Sequence, residues 1–317
     1  MRVYDAASLR NIALVGHTGS GKTQLASAIL ADSGMVSRFG QVDDGTAVTD
    51  FDDEEISRHH TLSAHLAYAE WHKHKINLID TPGMGNFFSE ARSALRVADA
   101  ALVVVDAVAG AMVQTEKVWA DAVEHDLPRL VVINRLDRER ASVERTMTSL
   151  RDVCGRNVVL IQWPIGEERA FRGVVDLVTA KAFVFADDRS GRCTEVPVPD
   201  DMTAAVQAAR EGLIESVAEA NDALLERFFE TGTLTHAELT AGLRAATVAG
   251  RLCPVVLTSA TANIGMPQLL DAIVALAPSP AERPFRGIGL DGQTAMRSAD
   301  DSAPPEIFVW KTIADPF

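Results

Sequence analysis

The stretch Gly16-His17-Thr18-Gly19-Ser20-Gly21-Lys22-Thr23 constrains this chain more than any other. It follows an apolar run over residues 12–15 and precedes a helix-forming run over 24–31. A strand, a loop of the pattern G-x-x-x-x-G-K-[ST] and a helix, in that order, make a cradle for phosphate. Gly19 and Gly21 let the backbone approach phosphate oxygens closely, because no Cβ stands in the way. The loop N–H groups then face inward as an anion-binding nest, and the helix adds its positive dipole end. Lys22 is expected to reach the β- and γ-phosphates, and the Thr23 hydroxyl to ligate Mg²⁺.

A loop of this kind sits between a buried strand and a helix, and the chain repeats that alternation. Apolar, β-rich runs at 12–15, 62–68, 76–79, 101–105, 130–133 and 255–257 alternate with helical stretches at 87–97, 114–124 and 138–153. Continuous Val, Ile and Leu runs suit strands covered on both faces of a mostly parallel sheet. The alternation predicts an α/β, doubly wound fold, in which ligand loops lie at the C-terminal ends of the strands.

Composition narrows the function. A net charge of −14 over 317 residues argues against general nucleic-acid binding through the overall field. Cys154, Cys193 and Cys253 are far apart, which argues against a disulfide framework or a zinc site and suits a reduced, cytoplasmic chain. Residues 1–10 lack the apolar segment of a signal peptide, and no apolar run approaches the about 18 residues of a membrane span. Residues 33–60 show no periodicity and are rich in Asp, Gly and Ser, so they are expected to form a long acidic loop, either solvated or functional.

Three further motifs follow strands. Asp80-Thr81-Pro82-Gly83 comes after the run 76–79, where the Asp80 carboxylate can help hold Mg²⁺ through water and the Gly83 N–H can meet a γ-phosphate. Asn134-Arg135-Leu136-Asp137 comes after 130–133. There, the Asp137 carboxylate can accept from guanine N1–H and its exocyclic amine, donors that adenine lacks at those positions. Asn134 can tie this loop to the phosphate loop, and Arg135 can lay its flat guanidinium on the base. Thr258-Ser259-Ala260 comes after 255–257 and can offer a backbone N–H to guanine O6.

The four elements in this order identify the chain as resembling a GTPase of the translation-factor class. The resemblance is to the GTP-binding domain of elongation factor G, or of an elongation factor G-like paralogue, and it covers almost the whole chain. Thr49-Asp50-Phe51 and Arg58-His59-His60-Thr61-Leu62 resemble that family's switch I, T-D-W and R-G-I-T-I. By that match Thr61 ligates Mg²⁺ and senses the γ-phosphate. Residues 93–101 and 114–119 are similar to the family sequence between switch II and the base-reading loop. The long separation of Asp137 from Ser259 matches the family's inserted subdomain, expected at about 158–252 within a GTP-binding domain of residues 1–280. Pro164-Ile165-Gly166 and the run Phe171 to Leu177 resemble its opening strands. Val206, Leu213, Val217, Leu224 and Phe228 recur at helical spacing and predict one amphipathic helix over 202–230. Its Glu211, Glu215, Glu219, Asp222 and Glu226 form either a solvated face or, as in the family, a surface that meets the ribosomal stalk protein. A helix is also expected at 266–276. Residues 281–305 read as a linker, and 306–317 resemble the first strand of a second, β-barrel domain. A lone strand cannot fold as a barrel, so a fragment, a truncated product or a split protein is expected.

The sequence departs from the family in four places. Met84 stands where switch II usually has a histidine that orients the attacking water, and a thioether is a poor partner for water. His59 and His60 replace Gly-Ile in switch I and are candidates for compensation. Gly19 replaces an aspartate, Gln24 a threonine and Arg135 a lysine. The resemblance implies a cytoplasmic, monomeric GTP hydrolase of translation elongation, using GTP, GDP and Mg²⁺ at the ribosome. Lys22, Thr61 and Gly83 would be catalytic, Thr23, Thr61 and Asp80 would hold the metal, and Gly16 to Thr23, Asp80 to Met84, Asn134 to Asp137, Ser259 and Ala260 would bind nucleotide. Met84 and the missing later domains favour an alternative, a GTP-dependent binding switch with little or no turnover or a decayed copy. A ribosomal protection or release factor-type GTPase, which later domains would tell apart, is a third reading.

Overall fold

The computed structural model describes residues 3–288, 291–300 and 302–313. The chain runs β1 (Leu9–Val15), α1 (Lys22–Asp32), α2 (Asp53–Arg58), β2 (His65–Trp71), β3 (His74–Asp80), α3 (Phe88–Val97), β4 (Ala100–Asp106), α4 (Val113–Glu124), β5 (Arg129–Asn134) and α5 (Val143–Cys154). It continues through β6 (Val158–Leu160), β7 (Gln162–Ile165), β8 (Gly173–Asp176), β9 (Lys181–Phe185), β10 (Cys193–Val196), α6 (Thr203–Glu219), α7 (Asp222–Thr231) and α8 (His236–Val248). It returns in β11 (Cys253–Leu257) and α9 (Met266–Leu276), and ends in the strands β12 (Phe285–Ile288) and β13 (Thr294–Arg297).

Seven strands form the main sheet in the order β2-β3-β1-β4-β5-β11-β6. All neighbours are parallel except β2 and β3, which are antiparallel. This is the doubly wound α/β fold expected of a P-loop GTPase. Side chains alternate along β1: Ile12 and Leu14 join the core on one face with Leu25 and Ile29 of α1 and Leu269 and Ile273 of α9. Ala13 and Val15 face the other way, toward Leu95 of α3, Val118 of α4 and Leu150 of α5. Strand β1 has β3 on one side and β4 on the other, so the loop after β1 opens where the winding changes direction, the usual ligand crevice of such sheets.

A second, antiparallel sheet, β10-β9-β8-β7, carries α6, α7 and α8 with it. The stretch 158–160, expected to open the inserted subdomain, instead completes the main sheet by pairing with β11. The single helix expected over 202–230 is two helices. Asn221 is in extended backbone (φ −150°) and its side chain accepts from the Leu224 N–H, a strong N-cap that starts α7 afresh. Helix α8, absent from the sequence reading, begins at a Thr235/Glu238 capping box. Helix α5 starts at 143 rather than 138 because Ser142 caps it.

The acidic stretch 33–60 holds the short helix α2, and Thr49, Asp50 and Glu55 within it are buried. The strand expected from 62 begins at His65, leaving Leu62 to Ala64 as a separate joint. The linker expected at 281–305 contains the hairpin β12-β13. The described part of the strand expected at 306–317, residues 306–313, joins no sheet, and 314–317 lie outside the described residues.

Candidate nucleotide-binding site

The phosphate loop leaves β1 at Gly16, whose Cβ, if present, would run into the Val104 carbonyl of β4. Gly21 has φ +87° and a Cβ there would lie 2.6 Å from Asn134 Nδ2, so only glycine fits. Helix α1 begins at Lys22 without a side-chain cap, which leaves its first-turn N–H groups for a ligand. The Ser20 Oγ and His17 Nδ1 are buried with no hydrogen-bond partner among the described residues. A backbone cradle edged by unsatisfied polar atoms suits a polyphosphate.

Lys22 is 6% exposed, and its Nζ donates to the Gly16 and His17 carbonyls, both at 3.1 Å. Burial pushes its ammonium down to about 8, against the pull of the Asp80 and Asp50 carboxylates. A bound phosphate would supply the missing counter-charge.

Beside it, oxygens from three segments converge. The Thr23 and Thr61 hydroxyls are 2.8 Å apart, and Thr61 donates to Asp50 Oδ1 at 2.9 Å. Thr49 donates to Asp80 Oδ2 at 2.8 Å, while Asp80 Oδ1 is buried and unpartnered among the described residues. Burial raises the Asp80 carboxyl above the usual range. Burial, and the neighbouring Asp80, push Asp50 up to about 6. Two desolvated carboxylates, Asp50 and Asp80, and the three hydroxyls of Thr23, Thr49 and Thr61 form an oxygen set suited to a hard divalent cation. The structure brings together Thr23, Thr61 and Asp80, the three residues expected to hold Mg²⁺, and adds Thr49 and Asp50. The family match in 49–51 touched those two, but nothing in their sequence setting reports burial.

Asp80-Thr81-Pro82-Gly83 leaves β3 next to the phosphate loop. Thr81 donates to the Leu14 carbonyl at 2.6 Å. A Cβ on Gly83 would stand 2.6 Å from the Thr18 nitrogen and press on Lys22 Nζ. Met84 follows, half-buried, and a Cβ on Gly85 would lie 2.8 Å from Gln114 Nε2.

At the base-reading end, Asn134 donates to the Ser20 carbonyl at 3.0 Å, and its oxygen accepts from the Ala260 N–H at 2.9 Å and the Thr258 hydroxyl at 3.2 Å. The expected tie between base loop and phosphate loop is thus present. A backbone N–H of Thr258-Ser259-Ala260 was expected to meet guanine O6, but Ala260 gives its N–H to Asn134, and Thr258 and Ser259 give theirs to the Ile133 and Ile264 carbonyls. Leu136 is buried, with its N–H on the Thr258 carbonyl. Asp137 Oδ1 accepts from Ser259 Oγ at 2.6 Å. Arg135, at φ +67°, pairs with Asp106 at 3.0 Å and lies beside Gly19.

The larger of two cavities lined by the described residues, about 620 Å³, lies elsewhere, around Met147, Trp163 and Leu213, and of the four nucleotide motifs only Leu136 lines it. A smaller one of about 150 Å³ lies against His17, Ser20, Asp106 and Arg135. The chemistry follows the converging polar groups rather than the volume. No helix among the described residues is long and apolar enough to cross a membrane.

Sheet order, phosphate cradle and the loop from Asn134 to Asp137 together define the G domain of a P-loop GTPase. Residues 7–279 match the family model of the elongation factor Tu GTP-binding domain, and the chain belongs to that family of translational GTPase-type G domains. Members bind guanine nucleotide, usually with Mg²⁺, and act on the ribosome. The fold is also similar to a crystal structure of a Thermus thermophilus protein, with a TM-score of 0.82 and 36% identity over 89% of this chain and 43% of that one. This chain therefore spans less than half the length of that relative.

Proposed function

We propose that the chain binds GTP and GDP with Mg²⁺ as the G domain of an elongation factor G-like translational GTPase, cytoplasmic and engaged at the ribosome. The observation that carries this is the buried oxygen set of Thr23, Thr61, Asp50 and Asp80 beside Lys22. When bound, the ion would neutralise charge on the phosphate oxygens. Thr23 and Thr61 would hold it directly, with Asp80 and Asp50 behind them. Lys22 and the loop N–H groups would stabilise phosphate charge, the Gly83 N–H would meet the γ-phosphate, and Asp137 would select guanine over adenine. The exposed Glu211, Glu215, Glu219, Asp222 and Glu226 on α6 and α7 support contact with a basic stalk-protein surface.

Met84 favours a second reading within the same site, a GTP-dependent switch with slow intrinsic turnover, because no hydrogen-bonding side chain occupies that position. Titration with labelled GTP, GDP and ATP tests the main reading. GTP and GDP should bind more tightly than ATP, and Asp137→Asn should shift preference toward xanthosine nucleotides. Tighter ATP binding would overturn it.

A further inference from the structure

Thr61 is followed by three residues, Leu62, Ser63 and Ala64, before β2 begins. Two carboxylates from different helices hold the amides of this joint. Glu55 of α2, 1% exposed, accepts from the Leu62 N–H at 2.8 Å and the Ser63 N–H at 3.1 Å. Its other close partner is His65 Nε2, at 2.9 Å. Glu90 of α3 accepts from the Ala64 N–H at 2.8 Å. From the far end of the chain, Lys311 Nζ donates to the Ala64 carbonyl at 2.8 Å, to Glu90 Oε2 at 2.7 Å and to Ser63 Oγ. The Lys311 side chain is only 14% exposed, whereas Ile307, Phe308, Val309 and Ile313 around it are exposed. Trp310 packs on the core face that includes α3.

We propose that Glu55 and Glu90 are positioning residues for Thr61, and that Lys311 makes the docking of segment 307–313 depend on the nucleotide at the site. The inference rests on the nucleotide and metal reading of that site. Thr61 can present its hydroxyl beside Thr23 only while the backbone just after it is fixed. Glu55 fixes it from the segment before Thr61. Glu90 fixes it from the helix after Gly83 and Met84, so the joint links the two segments matched to the switches. A long lysine buried to this degree is stable only with its acceptors in place. When Thr61 is drawn onto a metal–triphosphate complex, the joint is set and the Lys311 acceptors are set with it. When Thr61 is released, the acceptors loosen. Linkage is reciprocal, so docking of 307–313 favours the triphosphate form by the same factor. A plain tether would instead add the same stability in both nucleotide states.

The test compares wild type with Glu55→Gln, Glu90→Gln and Lys311→Met in the full chain. Affinities for Mg²⁺–GDP and for a non-hydrolysable Mg²⁺–GTP analogue are measured, with melting temperature and amide exchange over 307–313. The expected result is an analogue affinity lowered about tenfold, ~1.4 kcal/mol, with GDP affinity unchanged. Wild-type 307–313 should exchange more slowly with analogue than with GDP, and Glu90→Gln should erase that difference. Equal losses for both nucleotides, no loss, or identical wild-type protection in both states would overturn the inference while leaving GDP binding intact. A wild type that binds no guanine nucleotide would overturn the site reading itself, and this inference with it.

Discussion

The Asn134 side chain donates to the Ser20 carbonyl at 3.0 Å, joining the loop after β5 to the phosphate loop across 114 positions of chain. Asn134→Ala would leave the Ser20 carbonyl, the Ala260 N–H and the Thr258 hydroxyl without this partner in a buried place. An unmade buried bond costs about 1–3 kcal/mol. GDP affinity should therefore fall by on the order of a hundredfold. Fluorescent GDP titration alongside a thermal melt checks this.

Gly21 takes φ +87° with no room for a Cβ against the Asn134 amide. Gly21→Ala should cost about 1–2 kcal/mol from backbone strain alone. Nucleotide binding should suffer more than stability, since Asn134 must give way and the cradle widens. Urea unfolding and GTP titration on the same preparation separate the two losses.

Met84 sits just after Gly83, which backs onto the phosphate loop at the Thr18 nitrogen. Met84→His would place a donor and acceptor there. Positioned acid–base groups contribute roughly 10²–10⁴-fold, so single-turnover GTP hydrolysis with ribosomes should rise at least about tenfold. Nucleotide affinities should hardly move. Fast hydrolysis by the wild type, unchanged by the substitution, would remove Met84 from the account of turnover.

Asp32, at the end of α1, accepts from Asn263 Nδ2 at 2.7 Å, while Asp32 Oδ2 and Asn263 Oδ1 are buried without partners among the described residues. Burial, only partly offset by that bond, pushes Asp32 up to about 6. A carboxyl raised in the folded state binds more protons there than in the unfolded chain. Stability from this group is therefore full below about pH 4 and is lost as pH rises toward 6. Asp32→Asn keeps the acceptor, removes the buried charge and adds a donor. At pH 7 it should stabilise by on the order of 1 kcal/mol, less than the full linkage value because solvent reaches part of the group. The gain should vanish near pH 4, as urea unfolding at the two pH values will report.

The central strands were legible because β4, β5 and β11 hold the unbroken apolar runs 101–105, 130–133 and 255–257, and burial on both faces imposes that composition. The phosphate loop and Asn134 to Asp137 were legible for a different reason: their chemistry needs fixed residues at fixed spacing. The stretch 33–60 was opaque because Asp50 and Glu55 look like solvent-facing acids. Their burial comes from partners more distant in the fold, Asp50 beside Asp80 and Glu55 beside Ser63 and His65. Two misses had signals. Asn221-Asp222 ahead of Ala-Leu-Leu marks a helix start, and Asp291-Gly292, with Gly292 at φ +74°, marks the turn region between β12 and β13.

The second sheet and its helices do not have a core of their own. Val175, Leu177, Leu213, Val217 and Leu243 belong to the same apolar cluster as Ile12, Leu25 and Ile29. Phe171, Val174 and Phe185 belong to the cluster on the opposite face of the main sheet, with Val131 and Leu257. The two sheets should therefore melt as one cooperative unit, with a single calorimetric peak. A ligand that holds either sheet raises the melting temperature of both by mass action. Occupancy of the phosphate loop is then felt at α6 and α7 with no moving part between them.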